Sequence, residues 1–223
     1  MISSVNRFRA ARGRILRGMI EMLASDLGRD IRILDVGGRP DYWENVGIRS
    51  ISQIDLLNID DGELGRAVPA GMPGELFVRR VGDACDLSGH ADASYDLVHS
   101  NSVIEHVGDW SRMEAMAREM MRVGRAGWMQ TPAWEFPVEP HFRTLFMHWF
   151  GRPMQVRMMS LSFERRVRRT ELANRRRRVD GINLLSKREV RTLFPDRLLY
   201  VERVILAKSY VAHWLPEGLA LRV

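Results

Sequence analysis

Ile31-Arg32-Ile33-Leu34-Asp35-Val36-Gly37-Gly38 is the stretch on which the fold turns. A short apolar run with almost no polar alternation marks a strand covered on both faces, as in the middle of a parallel sheet. The glycine pair ends it, and residues without Cβ atoms let a chain turn sharply and approach a ligand closely. Upstream, residues 5–27 have helical periodicity, with Phe8, Ile15, Met19, Ile20, Met22, Leu23 and Leu27 on one side and arginines on the other. Gly28 is the expected stop.

Downstream, Pro40 to Asn45 can open a short helix, and Ile51 to Leu57 reads as a second strand. A Gly-, Pro- and Asp-rich loop follows. Leu76 to Val81 and Tyr95 to Ser100 are the third and fourth strands. Trp110 to Val123 has helical spacing, with Ser111 and Glu114 as a capping box. Gly127 to Thr131 is a fifth strand that stops at Pro132. Strands alternating with helices predict a parallel sheet with helices on both faces.

The alternation then breaks. Residues 133–180 show no strand period, many aromatics and methionines, and then an arginine cluster from Arg165 to Arg178. They read as an inserted helical lid. Ser186 to Glu189 is a second capping box before a helix that runs to Phe194. Leu198 to Ile205 and Ala207 to Trp214 are strand-like with no room for a helix between them, so they should pair antiparallel. The expected architecture is one doubly wound α/β domain around a mostly parallel seven-stranded sheet with a C-terminal antiparallel hairpin. Its segments are a basic amphipathic helix (1–28), a core (29–132), the lid (133–182) and the closing helix and hairpin (183–223).

The 223 residues are 45% hydrophobic, enough for one sizeable core. No apolar run reaches the ~20 residues of a membrane-spanning helix, and the first residues lack a signal-peptide pattern, so a cytoplasmic location is expected. A single cysteine, Cys85, allows no internal disulfide and no cysteine-based metal site. The net charge of +6 comes from arginines clustered at the N-terminus and in the lid. Such patches favour phosphate-bearing or anionic partners.

Four segments together resemble the class I S-adenosylmethionine-dependent methyltransferases, of the small-molecule, methyltransferase type 11-like kind. The first is Ile33-Leu34-Asp35-Val36-Gly37-Gly38-Arg39-Pro40, similar to the family's acidic residue and glycine turn. The usual second and third glycines fall here on Arg39 and Asp41, so Gly37 and Gly38 must make the turn. The second is the end of the second strand, where the family places a carboxylate against the ribose hydroxyls. Asp55 and Asn58 both stand as candidates for that place. The third, Val81-Gly82-Asp83-Ala84-Cys85-Asp86-Leu87, resembles the family's adenine-binding segment and implies that role for Asp83 and Ala84. The fourth is Tyr95-Asp96-Leu97-Val98-His99-Ser100-Asn101-Ser102-Val103-Ile104-Glu105-His106-Val107, similar to the family's fourth-strand motif. It implies Ser100 and Asn101 beside the methionine end of the cofactor. The resemblance thus implies a Rossmann-like methyltransferase fold that binds S-adenosylmethionine through Asp35, Gly37, Gly38, Asp55 or Asn58, Asp83, Ala84, Ser100 and Asn101, and releases S-adenosylhomocysteine.

The sulfonium is already a strong electrophile, so such an enzyme needs mainly to align its nucleophile and exclude water. A hydroxyl acceptor also profits from a base near neutral pKa. The candidates are His106, after the fourth strand, and His141 with Glu139, in the proline-stiffened loop Trp134-Glu135-Phe136-Pro137-Val138-Glu139-Pro140-His141-Phe142. His148 reads as helix packing. His99, His106, His141 and His148 lack close i, i+4 spacing, so no metal is expected.

The arginine run lies near Leu145, Phe146, Met147, Trp149, Phe150, Met154, Met158 and Met159, which suits contact with an anionic membrane or a glycolipid-type acceptor. Nucleic acid fits less well, because no aromatics interleave the arginines. The expected function is methyl transfer to an oxygen of a small-molecule, sugar or lipid-linked acceptor. The rivals are an RNA methyltransferase and a binding protein that keeps the fold without turnover. Gly37-Gly38-Arg39-Pro40-Asp41-Tyr42 lacks the Gly-x-Gly-x-x-Gly of nicotinamide dehydrogenases.

Overall fold

Ile31–Val36 forms β1, and all its residues are buried except the half-buried Arg32. It is an interior strand, between β2 and β4, of a seven-stranded sheet ordered β3-β2-β1-β4-β5-β9-β8. The partners are β2 (Ile51–Asn58), β3 (Phe77–Val81), β4 (Tyr95–Asn101) and β5 (Gly124–Pro132). β3, β2, β1, β4 and β5 run parallel. The last two strands, β8 (Leu198–Arg203) and β9 (Ala207–Trp214), form an antiparallel hairpin whose β9 also runs antiparallel to β5. The computed structural model describes residues 4–221, with side chains from residue 8 onward apart from residue 63. Residues 1–3 of the expected basic segment and residues 222–223 of the closing segment lie outside the described residues, as does the side chain of Arg7 in the N-terminal arginine cluster.

Helices cover both faces. On one face, α1 (Ser4–Leu27) buries Leu16, Met19, Ile20 and Leu23 against Ile33, Ile54, Leu97 and Trp128. The short helices α2 (Trp43–Val46) and α3 (Asp61–Leu64) complete that layer. On the other, α4 (Trp110–Val123) presents Met113, Met116, Ala117, Met120 and Val123, spaced to form one apolar stripe. Its start differs from the capping box expected of Ser111 and Glu114. Asp109 is the N-cap, accepting 3.1 Å from the Arg112 amide and 2.8 Å from the Ser111 hydroxyl. A carboxylate two residues earlier satisfies the free amide and also suits the positive end of the helix.

Between β5 and the closing elements lies the lid. It contains a small hairpin of β6 (Val138–Glu139) and β7 (Thr144–Leu145), then α5 (Arg152–Met158), α6 (Arg165–Arg168) and α7 (Leu172–Asp180). Two-residue strands carry too little alternation to register in the sequence. The lid has its own core of Phe142, Met147, Val156, Met159, Val167 and Val179. Met147 and Met159 therefore pack inward and do not extend the exposed greasy face expected of them. In α8 (Lys187–Leu193) the Ser186–Glu189 capping box is formed in both directions.

The parallel strands all end on one edge. Connections leave β1 toward β2 on one side and reach β4 on the other, which opens a crevice at their carboxyl ends.

Candidate active site

Gly37 and Gly38 make the turn at the end of β1. Gly37 has φ +70°, and a Cβ placed on it would meet Val103 Cγ2 at 2.3 Å. A Cβ on Gly38 would meet the Asp35 carboxylate at 2.1 Å. Both positions exclude a side chain for reasons that can be measured. The turn is held from beneath by Asp35, which is buried, accepts 2.8 Å from Trp43 Nε1 and pairs 2.6 Å with His99 Nδ1. From the side, the Asn58 amide donates 2.8 Å to the Gly38 carbonyl.

Gly37, Asn58, Asp83, Ala84, Val103 and His106 line one cavity of about 220 Å³ at the ends of β1, β2 and β3. Asp83 offers a carboxylate there while Arg112 binds both its oxygens at 2.8 and 2.9 Å and the Cys85 amide donates to it at 2.9 Å. The Arg112 bond, then the Cys85 amide, hold the Asp83 carboxyl below its usual range. It therefore stays an acceptor at neutral pH. The Asn58 amide nitrogen is committed to Gly38, and its carboxamide oxygen is an acceptor. Acceptors at two ends of a cavity floored by bare glycine backbone fit the hydroxyls and amino group of a nucleoside.

Three of the cofactor candidates, Asp55, Asp35 and Ser100, line neither this cavity nor its neighbours at the sheet edge. Asp55 is fully buried and binds Arg32 at 2.7 Å, Arg80 at 2.9 Å and Tyr95 at 2.7 Å. Its place at mid-strand points it into the sheet flank, so Asn58 occupies the strand-end position. Asp35 braces the turn and lines no described cavity. Ser100 is buried at the β1–β4 seam opposite Val36. Asn101, one residue later, lines two adjoining cavities.

The larger of those, about 430 Å³, lies at the ends of β4 and β5. Arg9, Arg12, Arg143 and Lys208 converge on it with Asn101, Ser102 and Gln130. These basic residues come from α1, the lid and β9, and nothing local in the sequence joins them.

His106 and His141, 35 residues apart, bring their Nε2 atoms within 3.0 Å. Glu139, itself buried, takes His141 Nδ1 at 2.7 Å and the Phe142 amide at 2.6 Å. It positions His141. Glu105 completes the cluster with Oε1 at 4.0 Å from His141 Nε2, while Thr131 donates 3.0 Å to its other oxygen. Burial pushes the Glu105 carboxyl up to about 7 against the opposing pull of His141. Burial also lowers His106, with the neighbouring imidazole adding to it. For His141, burial is outweighed by Glu139 and Glu105, and the net direction is upward. Glu105 was legible in the Ile-Glu-His-Val motif, yet its role depends on a loop more than 30 residues away. His148 Nε2 donates to the Trp134 carbonyl, 2.8 Å away, in keeping with a packing role.

Residues 41–128 match a family model of a methyltransferase domain. A stretch of 100 residues, 44% of this chain, is 34% identical to an uncharacterized methyltransferase of Mycolicibacterium gilvum, and spans 37% of that relative's length. The fold superposes on the methyltransferase domain of bacterial CtHen1-CN with a TM-score of 0.54 at 12% identity, covering 90% of this chain and 97% of that one. It also superposes on a SAM-dependent methyltransferase of Methanosarcina mazei with a TM-score of 0.52 at 16% identity, covering 85% and 94%. Residues 41–128 are thus similar to a methyltransferase domain, and the sheet shares the fold of these two solved methyltransferases.

Proposed function

We propose that the protein transfers the methyl group of S-adenosylmethionine to an oxygen of a small-molecule, sugar or lipid-linked acceptor by in-line displacement. The observation that carries this reading is the adjacency of two unlike cavities along one sheet edge. The glycine-floored one offers acceptors suited to adenosine. The basic one at the ends of β4 and β5 suits an acceptor bearing negative charge. Gly37, Asn58, Asp83 and Ala84 hold the cofactor, with Asn101 at the boundary toward the acceptor. His106, and His141 held by Glu139, stand at the rim of the cofactor cavity, where they can activate a hydroxyl. The bound cofactor supplies the methyl group and its sulfonium the electrophilicity; the chain supplies alignment and a dry pocket.

The lid's exposed Leu145, Phe146, Trp149 and Phe150 lie beside its arginines, and that pairing supports an acceptor presented at an anionic membrane surface. Among the described residues, no helix is long and apolar enough to cross a membrane. The test is calorimetric titration with S-adenosylhomocysteine, followed by labelled methyl transfer to panels of anionic sugars, phenols and glycolipids in vesicles. Cofactor binding with label in an ether or ester product supports the reading. Absence of cofactor binding would leave a scaffold that has lost turnover. Label in RNA, with affinity falling steeply as salt rises, would replace the acceptor class.

A further inference from the structure

The pairing of His106 with His141 has an electrostatic peculiarity. Each imidazole has its Nδ1 against an acceptor: the Glu139 carboxylate at 2.7 Å for His141, and the Gly181 carbonyl at 3.3 Å for His106. A neutral ring that donates from Nδ1 carries its lone pair on Nε2. The two lone pairs then face one another across 3.0 Å with no hydrogen between them. Toward the same point turns Glu105 Oε1, on a residue with no solvent exposure, and this oxygen has no hydrogen-bond partner. Three electron-rich atoms thus share a space in which a donor or a cation is missing, an arrangement that burial makes costly.

We propose that Glu105, His106 and His141 form a binding site for a divalent first-row transition-metal cation at the rim of the cofactor cavity. The three ligand atoms lie within 4.8 Å of one another. Two nitrogens each ~2.1 Å from one ion and about 90° apart stand about 3.0 Å from each other, which is the separation seen here. Two imidazoles and one carboxylate leave coordination positions open, as catalytic sites require. The outer shell is also in place. Glu139 and the Gly181 carbonyl fix both rings in the tautomer that ligates through Nε2, and Thr131 holds the second Glu105 oxygen. Sequence spacing argued against a metal because no two histidines are i, i+4 neighbours. The fold supplies the spacing instead, across the seam between the β4 loop and the lid.

The site deepens the methyl-transfer reading and, for its role, rests on it. A bound cation would take the acceptor hydroxyl as a ligand and lower its pKa. The hydroxyl proton leaves to water, the oxygen attacks the methyl carbon, and the electron pair of the breaking S–C bond returns to sulfur.

Tag-free full-length protein, stripped with chelator, is titrated with Co²⁺ by calorimetry and visible spectroscopy, with Zn²⁺ as competitor. One equivalent should bind, giving d–d bands that Zn²⁺ abolishes. His106→Ala and His141→Ala should each weaken Co²⁺ at least tenfold, and Glu105→Gln, nearly isosteric, should weaken it and alter the bands. Thermal melts and circular dichroism of the same variants confirm an intact fold. No stoichiometric binding by the wild type, or binding that all three variants keep, overturns the site; a proton then sits between the rings. The metal titration needs no cofactor, so failure of S-adenosylhomocysteine to bind would sink the methyltransferase reading separately.

Discussion

A Cβ atom on Gly37 would lie 2.3 Å from Cγ2 of Val103, well inside any contact that real side chains make. The turn after β1 and the loop after β4 are therefore fitted to each other, and residue 37 lines the cavity at the ends of β1, β2 and β3.

Gly37→Val should abolish measurable S-adenosylhomocysteine binding, a loss of at least a hundredfold. The added side chain must displace Val103 and adopt a positive φ that β-branched residues avoid. Calorimetry is the readout, with circular dichroism to confirm the sheet. Unchanged affinity would place the cofactor elsewhere.

Asp83→Ala should weaken the cofactor by ten- to a hundredfold, since the cavity loses its charged acceptor. Arg112→Ala should weaken it less. It removes the clamp on Asp83 and leaves the carboxylate in the cavity. The order of the two losses, measured by the same titration, is the diagnostic feature.

His141→Ala should slow methyl transfer by about 10²–10⁴-fold, the range typical of a lost group that activates the acceptor hydroxyl, and leave cofactor affinity within a factor of two. Glu139→Gln should give part of that effect, because it acts through the orientation of His141. Steady-state kinetics at saturating cofactor separates the two quantities. Equal loss of both would assign the loop a structural role only.

Asp55 predicts acid sensitivity. Burial alone would raise its pKa, but hydrogen bonds from Tyr95, Gln53 and Arg80 and the Arg32 charge outweigh it, and the net direction is downward. A carboxyl whose folded pKa lies below its unfolded ~3.9 stabilises the protein above that value, and the contribution disappears as pH falls through the folded pKa. Asp55→Asn should cost about 2–3 kcal/mol at pH 7, the range for a buried charged hydrogen-bonding group, or roughly 5–10 °C in melting temperature for a chain of this size. The gap to the wild type should narrow below about pH 4. A gap that persists at low pH would mean that packing, not charge, is what the residue provides.

Much of the fold was legible locally. The unbroken apolar run of Ile31–Val36, the stripe of α4, the capping box at Ser186 and the two adjacent C-terminal strands each carry a periodicity or a turn signal that survives without tertiary context. Those patterns determine the sheet's composition and its mixed direction, and the glycine turn and Asp83 mark the cofactor side. The sequence did not choose between Asp55 and Asn58, because both are polar residues near a strand end. Only the sheet's pleat and the partners Arg32, Arg80 and Tyr95 turned Asp55 away. The basic cavity at the ends of β4 and β5 and the Glu105–His106–His141 cluster were likewise beyond local reading. Their members come from separate elements, and electrostatic coupling falls with distance in space, regardless of separation along the chain.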